Sequence, residues 1–522
     1  MTDALLRQEI IELAREVRPW DVIVVGGGCA GLGAAVEAAA RGYRTLLVER
    51  EDFTSGTSSR STKLIHGGVR YLRQGHISLV MGALKERGRL RRNAPHLVSD
   101  LSLVIPAYSV WEKPYYGVGL KAYDLLAGGR NLGRSQLLSR RGALDRISTL
   151  RGDGLRGGVL FHDGQFDDAR LGWTLVRTLL NLGGVAVNRV EAVGFIESRG
   201  GIRGVRLRDA VDGTEWEARA SVVVNATGPW ADETRAMDEP DAGPGVVISQ
   251  GSHIVVSSSF LPGSTAVLVP STDDGRVLFA IPWHDHVIIG TTDVALPGPT
   301  RSPVPSADEV DYLIDHAARY LYRPPARSDV LSAWSGLRAL ARSGSGGSTA
   351  ELSRDHAISV SRAGLVTVVG GKWTTYRKMG QDTIDRAAEV GHLSPVSSRT
   401  ARMRLHGHDE RTDRLAPWRV YGSDADRILE LEAGKPAWAE VIQPSLPYRK
   451  SQVVWAARHE MATSVEDVLM RRTRALYLNA TAALESAPLV AELMAEALGH
   501  GPDWIEGQVA AFEAVARTFI PA

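Results

Sequence analysis

Three glycines and one acid near the start of the chain have the types and spacing to hold a dinucleotide. Gly26, Gly28 and Gly31 fit G-x-G-x-x-G within DVIVVGGGCAGLGAAVEAAARGYRTLLVE, residues 21–49. In this pattern the first glycine permits a tight turn, the second lets a pyrophosphate approach the backbone, and the third lets the next helix pack close to the sheet. The apolar run 21–25 reads as a buried parallel strand. The helix that opens after the glycines points its amides and its positive dipole end at the phosphates. Residues 45–48 read as a second strand with Glu49 at its end, about 20 residues on, where an acid hydrogen-bonds a ribose hydroxyl. Glycines alone would fit other Gly-rich turns; with both strands, the helix and the acid in place, they predict a dinucleotide site.

Further groups bear on which dinucleotide. The loop 54–63, TSGTSSRSTK, offers the hydroxyls of Thr57, Ser58, Ser59 and Ser61 and the ammonium of Lys63 to pyrophosphate oxygens, although an ordinary polar loop has the same composition. NATGPW at 225–230, with Ala226, Thr227 and Gly228, resembles the second fingerprint of FAD oxidoreductases, where a strand ends beside the dinucleotide. GGKWTT at 370–375, with Gly371 and Thr374, sets a helix N-terminus after a strand, a place that stabilises negative charge on the N1/O2 side of a reduced flavin. These features favour FAD over a nicotinamide.

The elements that must position these groups are scattered along the chain. At 522 residues the chain is too long for one ordinary domain. SVVVNATG (221–228) and GLVTVVGG (364–371) read as further strands of the first sheet, so an α/β, Rossmann-type doubly wound FAD-binding domain is predicted in three pieces, 1–100, 165–240 and 331–399. Residues 101–164 and 241–330 are rich in short β patterns and are predicted to form an inserted antiparallel β-sheet substrate domain. Residues 400–522 have helical periodicity and read as a helical C-terminal domain.

Composition narrows the classes. A net charge of +1 gives no general reason to bind nucleic acid. The single cysteine, Cys29, excludes an intrachain disulfide and a Cys-based metal cluster, and its place in the glycine turn suits packing. No metal site is expected; HGH at 406–408 reads as a solvated loop. The first residues lack a signal-peptide core and no uncharged run approaches a membrane span, which fits a cytoplasmic setting with surface attachment to a membrane allowed.

Taken together, SGTSSRSTKLIHGGVRYL (55–72), FHDGQFDDARL (161–171), NATGPW, QGSHIVV (250–256), IPWHDHVIIGTTD (281–293), WSGLRAL (334–340), SRDHAI (353–358) and GGKWTTYRKM (370–379) resemble the FAD-dependent respiratory glycerol-3-phosphate dehydrogenases. RVYGSDADRI (419–428) and LMRRTRALYLN (469–479) match more loosely. The resemblance implies oxidation of sn-glycerol 3-phosphate to dihydroxyacetone phosphate, with hydride passing from C2 to flavin N5 and electrons to a membrane quinone, or to oxygen in the related oxidases. It places Lys63, Leu64, His66 and Gly67 of the KLIHGG string against a noncovalently held FAD. It assigns the substrate phosphate to Arg338 and Arg354, and sets Arg70 and Lys372 nearer the flavin and the reacting alcohol.

Those cations suit a near-dianionic phosphate. His253 in QGSHIVV is the candidate base, because imidazole titrates near working pH; a hydrogen-bonded histidine at a sheet edge is the plainer alternative. Arg70 could instead stabilise the developing alkoxide, and Tyr71 either hydrogen-bonds that oxygen or packs on the flavin. The stretch 113–141 carries Tyr115, Tyr116, Leu120, Tyr123, Leu125 and Leu126 beside Lys113, Lys121, Arg130, Arg134, Arg140 and Arg141, a composition for the anionic inner face of the cytoplasmic membrane. The Gly/Ser patch 343–348 is predicted to be a mobile loop at the substrate entrance. A homo-oligomer is allowed. The rival readings are an oxygen-reducing oxidase, an amine or amino-acid oxidase on the same fold, and a flavin-holding module without turnover.

Overall fold

The structure, a computed structural model, describes residues 6–73, 75–198, 200–273, 275–342, 355–411 and 418–521. The first sheet is built on Trp20–Val25, which pairs in parallel with Thr45–Val48 on one side and Glu215–Asn225 on the other. Val185–Val187 and Val366–Val369 extend the parallel order outward, and Ala357–Val360 adds an antiparallel edge. These strands read as unbroken apolar runs because they are buried on both faces. Cys29–Ala40, the helix after the glycine turn, packs against Tyr376–Val390 and Asp168–Asn181. The crossing with Tyr376–Val390 is glycine to glycine: a Cβ on Gly380 would lie 2.2 Å from the Gly33 carbonyl oxygen.

The second sheet is mostly antiparallel and has ten strands. Val246–Ser257 is its axis, flanked on one side by His286–Gly290 and Val294–Leu296 and on the other by Ser332–Ala341, paired through ten registers. Ser332–Ala341 and Leu64–Ile65 therefore belong to this sheet, although the sequence reading assigns 331–399 and 1–100 to the FAD-binding domain. Which strand edge a segment pairs with is set by distant partners, and Val246–Ser257 has partners on both edges.

The C-terminal region is helical, from Asp424–Gly434 to Pro502–Arg517, and it is not an appendage. Its apolar core is continuous with Trp283 and Trp334 of the second sheet. Its charges reach into the first domain. Asp52, fully buried, accepts from Arg471 Nε at 2.6 Å and from Arg472 NH1 and NH2 at 2.7 and 2.9 Å. Arg170 forks onto Glu460 at 2.8 and 2.9 Å. Nor is HGH a solvated loop: Gly407 is buried against His96, and His406 pairs with Asp424 at 2.7 Å.

Removing one partner of a buried ion pair leaves an uncompensated charge. Asp52→Ala removes the carboxylate shared by two buried guanidinium groups, leaving Arg471 with Asp467 and Glu466 and Arg472 with Glu460, and should destabilise the protein by at most about 3–5 kcal/mol, read as a fall in the denaturant midpoint. A midpoint equal to that of the unsubstituted protein would mean that the clamp contributes nothing.

Candidate active site

The glycine turn has the geometry of a cradle. Gly26 has φ +110°, and a Cβ there would lie 2.6 Å from the Ala226 carbonyl oxygen. A Cβ on Gly31 would lie 1.9 Å from the Gly26 carbonyl oxygen, so only glycine lets the helix start so near the strand. Gly28 caps that helix, and the amide of Cys29 donates to Ser58 Oγ at 2.9 Å. Burial pushes the Cys29 thiol up to about 11, which leaves it protonated. Glu49 accepts from the amides of Gly27 at 2.7 Å and Glu51 at 2.9 Å, which fixes its carboxylate at the end of its strand. Burial nonetheless raises its pKa.

A cavity of about 570 Å³ opens on this cradle. Its lining includes Gly26, Gly28 and Glu49, the loop residues Thr57, Ser58 and Ser61, and Ala226, Thr227 and Gly228. Leu64, His66, Gly371, Lys372, Thr374, His253 and Arg338 line the same cavity. The volume is in the range of cofactor sites, and a bare glycine turn at a helix N-terminus is what a pyrophosphate requires. The residues present fit an FAD.

Other expected residues lie elsewhere. Lys63 does not face the cavity. It is fully buried, with Nζ 2.7 Å from Asp168 and 2.8 Å from the Ser59 carbonyl oxygen, and 4.9–5.5 Å from the ring centres of Trp283, Trp334 and Tyr477. Burial lowers its pKa to about 7 against the pull of Asp168. It holds the loop from behind instead of touching phosphate. Ser59 is likewise buried, its hydroxyl 3.4 Å from Tyr477. Gly67 lies against Tyr123, whose hydroxyl accepts its amide at 2.8 Å. Tyr71 supports Lys372, whose Nζ sits 4.1 Å above its ring centre. Arg354, the side chain of Arg70 and the patch 343–348 lie outside the described residues.

His253 is held on three sides. Its ring stacks on Trp334 at 4.1 Å, Nε2 is 3.0 Å from Thr62 Oγ1, and Nδ1 is buried with no hydrogen-bond partner among the described residues. Burial, with the nearby charges of Lys63 and Arg338, pushes its pKa well below the ordinary value. Arg338 is set in place by four acceptors. NH1 donates to the Gln250 carbonyl at 3.2 Å and Asp293 at 2.9 Å; NH2 donates to Thr291 Oγ1 and the Thr292 carbonyl, both at 3.0 Å. Gly251 makes this possible, since a Cβ there would lie 2.1 Å from the guanidinium. Sequence reasoning missed Thr62, Trp334 and the cavity-lining Arg60. All three lie inside motifs already singled out, but only pairing in the second sheet shows which of them meet.

The chain was compared with proteins of known family and structure. The family model described as FAD dependent oxidoreductase matches residues 21–377, and that of the C-terminal domain of alpha-glycerophosphate oxidase matches 365–504. A Caenorhabditis elegans protein named probable mitochondrial glycerol-3-phosphate dehydrogenase is 39% identical over 98% of this chain and 75% of its own length. The human mitochondrial glycerol-3-phosphate dehydrogenase is 38% identical over 92% of this chain and 70% of its own. The glycerol-3-phosphate dehydrogenase of Bacillus halodurans, solved with FAD, superposes with a TM-score of 0.80 at 28% identity, covering 100% of this chain and 99% of that one. Fold, cavity and matches define an FAD-dependent oxidoreductase. Within that class the chain belongs to the FAD-dependent glycerol-3-phosphate dehydrogenase family.

The environment of His253 makes a prediction about pH. Folded, the imidazole stays neutral below its ordinary value of 6.5; unfolded, it takes a proton there. The unfolded state then binds more protons, so stability falls as pH drops below 6.5, by about 1.4 kcal/mol per pH unit for one group. Denaturant midpoints at pH 7.5 and pH 5 should therefore differ more in the unsubstituted protein than in His253→Gln. Equal pH losses would contradict a neutral buried His253.

Proposed function

We propose that this protein oxidises sn-glycerol 3-phosphate to dihydroxyacetone phosphate at FAD and passes the electrons to a membrane quinone. The observation that carries the reading is one cavity lined both by the dinucleotide cradle and by Arg338, Lys372 and His253. Bound FAD supplies the hydride acceptor, N5. The chain's residues do the rest. Arg338, preset by its four acceptors, offers a fixed positive charge to the substrate phosphate; Arg354 is its proposed companion through the family resemblance. His253 is neutral, the state in which an imidazole accepts the C2 hydroxyl proton. Its low basicity makes it a weak base alone. Lys372, propped over Tyr71, supplies the charge that stabilises the developing alkoxide, with Arg70 in the same role by resemblance. Thr62 holds His253 through Nε2.

The phosphate dependence is directly testable. With a soluble electron acceptor, the protein should form dihydroxyacetone phosphate from sn-glycerol 3-phosphate and turn over glycerol at least about a hundredfold less efficiently. Arg338→Lys, which loses the planar fork, should raise KM by about tenfold or more. Comparable turnover of glycerol or of an amino acid would overturn the assignment.

A quinone acceptor requires contact with a bilayer, and helix Glu112–Ala127 supports that part of the proposal. Trp111, Tyr115, Val118 and Leu125 follow a helical stripe and are 80%, 58%, 74% and 82% exposed. Large apolar side chains in such a stripe suit an interfacial helix. Leu120 and Tyr123, read from sequence as part of this surface, are instead buried on the opposite face. Lys113, Lys121 and Arg130 lie on the same segment, whereas the acids Glu112 and Asp124 are engaged by the amides of Tyr108 and Ser109 and by Asn131 and Ser135. Among the described residues no helix is long and apolar enough to cross a membrane. We place the protein peripherally, on the inner face of the cytoplasmic membrane. Trp111→Glu combined with Leu125→Glu should abolish flotation with anionic vesicles while leaving turnover with the soluble acceptor unchanged. Undiminished flotation would move the contact elsewhere.

A further inference from the structure

The strand Val246–Ser257 forms part of the cavity wall, and its alternation puts Gly251 and His253 toward the cavity and Gln250 and Ser252 behind it. Behind it stands Glu309, in the first turn of helix Ala307–Ala318. Oε1 accepts from Ser252 Oγ and from Thr292 Oγ1, both at 2.6 Å. Oε2 accepts from Gln250 Nε2 at 2.9 Å and from the amide of Ser306 at 3.0 Å. Burial alone would raise its pKa, yet these donors hold it below the ordinary carboxylate value.

Only the Ser306 bond is needed for a helix cap. Ser306 Oγ in turn accepts from the Glu309 amide, which completes a capping box. A carboxylate serving that purpose alone leaves its other lone pairs to water. Here two strand side chains, Gln250 and Ser252, and one from the connection after His286–Gly290, Thr292, occupy them, and all three belong to the frame of Arg338. Gln250 and Thr292 supply the carbonyls to which the guanidinium donates, and Gln250 and Ser252 flank the bare Gly251 on which it lies. Thr292 Oγ1 also accepts the Ser252 amide at 2.9 Å, which ties the two segments together. Ser252 Oγ meets Ser335 Oγ at 2.7 Å, next to Trp334 on which His253 stacks.

We propose that Glu309 is the positioning residue of the substrate-phosphate site, fixing from behind the sheet the carbonyls and the glycine that set Arg338. The inference rests on the reading of Arg338 as the phosphate anchor. A carboxylate does this better than a neutral group because four donors converge on it, and it satisfies all of them without reorientation. The reacting end of the cavity thus depends on a residue that touches neither substrate nor cofactor.

The test uses the oxidised holoenzyme and inorganic phosphate as the probe. Phosphate is titrated against the flavin absorbance, and KM and kcat are measured for sn-glycerol 3-phosphate. Glu309→Ala should weaken phosphate binding and raise KM by about ten- to a hundredfold, with kcat changed far less. Glu309→Gln, which keeps an oxygen for Gln250 and Ser306, should lie between; it also decides the matter if Glu309→Ala does not fold. Ser306→Ala breaks the helix cap but not the sheet bonds, so it should lower stability and leave phosphate binding unchanged. If Ser306→Ala weakens phosphate as much as the Glu309 variants do, or if Glu309→Gln and Glu309→Ala bind phosphate like the unsubstituted protein while Arg338→Lys does not, the positioning role is wrong. If Arg338→Lys itself binds phosphate normally, the anchor reading fails and the inference with it.

Discussion

Everything in the site depends on how one polar loop is held. Residues 57–63 present Thr57, Ser58, Ser61 and Thr62 to the cavity, and they do so because the loop is pinned from the far side. Asp168, fully buried at the start of its helix, takes Lys63 Nζ at 2.7 Å, the Ser61 hydroxyl at 2.7 Å and Arg474 at 3.0 Å. Lys63 and Arg474 both donate to the Ser59 carbonyl. Ions buried to this depth persist only when paired and hydrogen-bonded. With Asp167 3.8 Å from Arg474 Nε as the second carboxylate, the cluster brings three parts of the chain together: the loop, the helix after the second sheet's strand Gly157–Phe166, and the helical domain.

The role of the helical domain follows from this. Arg471, Arg472 and Arg474 come from one short segment and meet Asp52 and Asp168 of the first domain, so the domain braces both ends of the flavin loop. Tyr477 and Trp334 then complete the aromatic cage around Lys63. Trp334 has a second duty, since His253 stacks on it. The loop anchor Lys63 and the proposed base His253 therefore meet the same aromatic ring, and the low basicity of His253 follows from the burial that goes with this packing.

Local signals were legible in the sequence. The glycine turn, its flanking strands and the acid at Glu49 are adjacent in the chain, and each residue type answers a steric or hydrogen-bonding need that neighbours define. Residues 221–225 and 366–369 were legible as strands because continuous apolar runs report burial on both faces. What escaped was set by distant partners. Lys63 in a Ser/Thr loop looks like an anion ligand until Asp168 and Arg474 are seen behind it. Ser332–Ala341 reads with the FAD-binding segments but pairs with Val246–Ser257. Leu120 and Tyr123 share the composition of an interfacial helix, and only its rotation shows that they face the core while Trp111 and Leu125 face outward. Glu309 carried no motif beyond a helix start.

The central claim is that the charges lining the cavity select a phosphorylated alcohol for the flavin held in the same cavity. Anaerobic addition of sn-glycerol 3-phosphate to the holoprotein, followed at the oxidised flavin band, tests it most directly. The account predicts rapid bleaching by sn-glycerol 3-phosphate and none by glycerol at equal concentration. A flavin that stays oxidised, or one bleached equally by glycerol or by an amino acid, would contradict it.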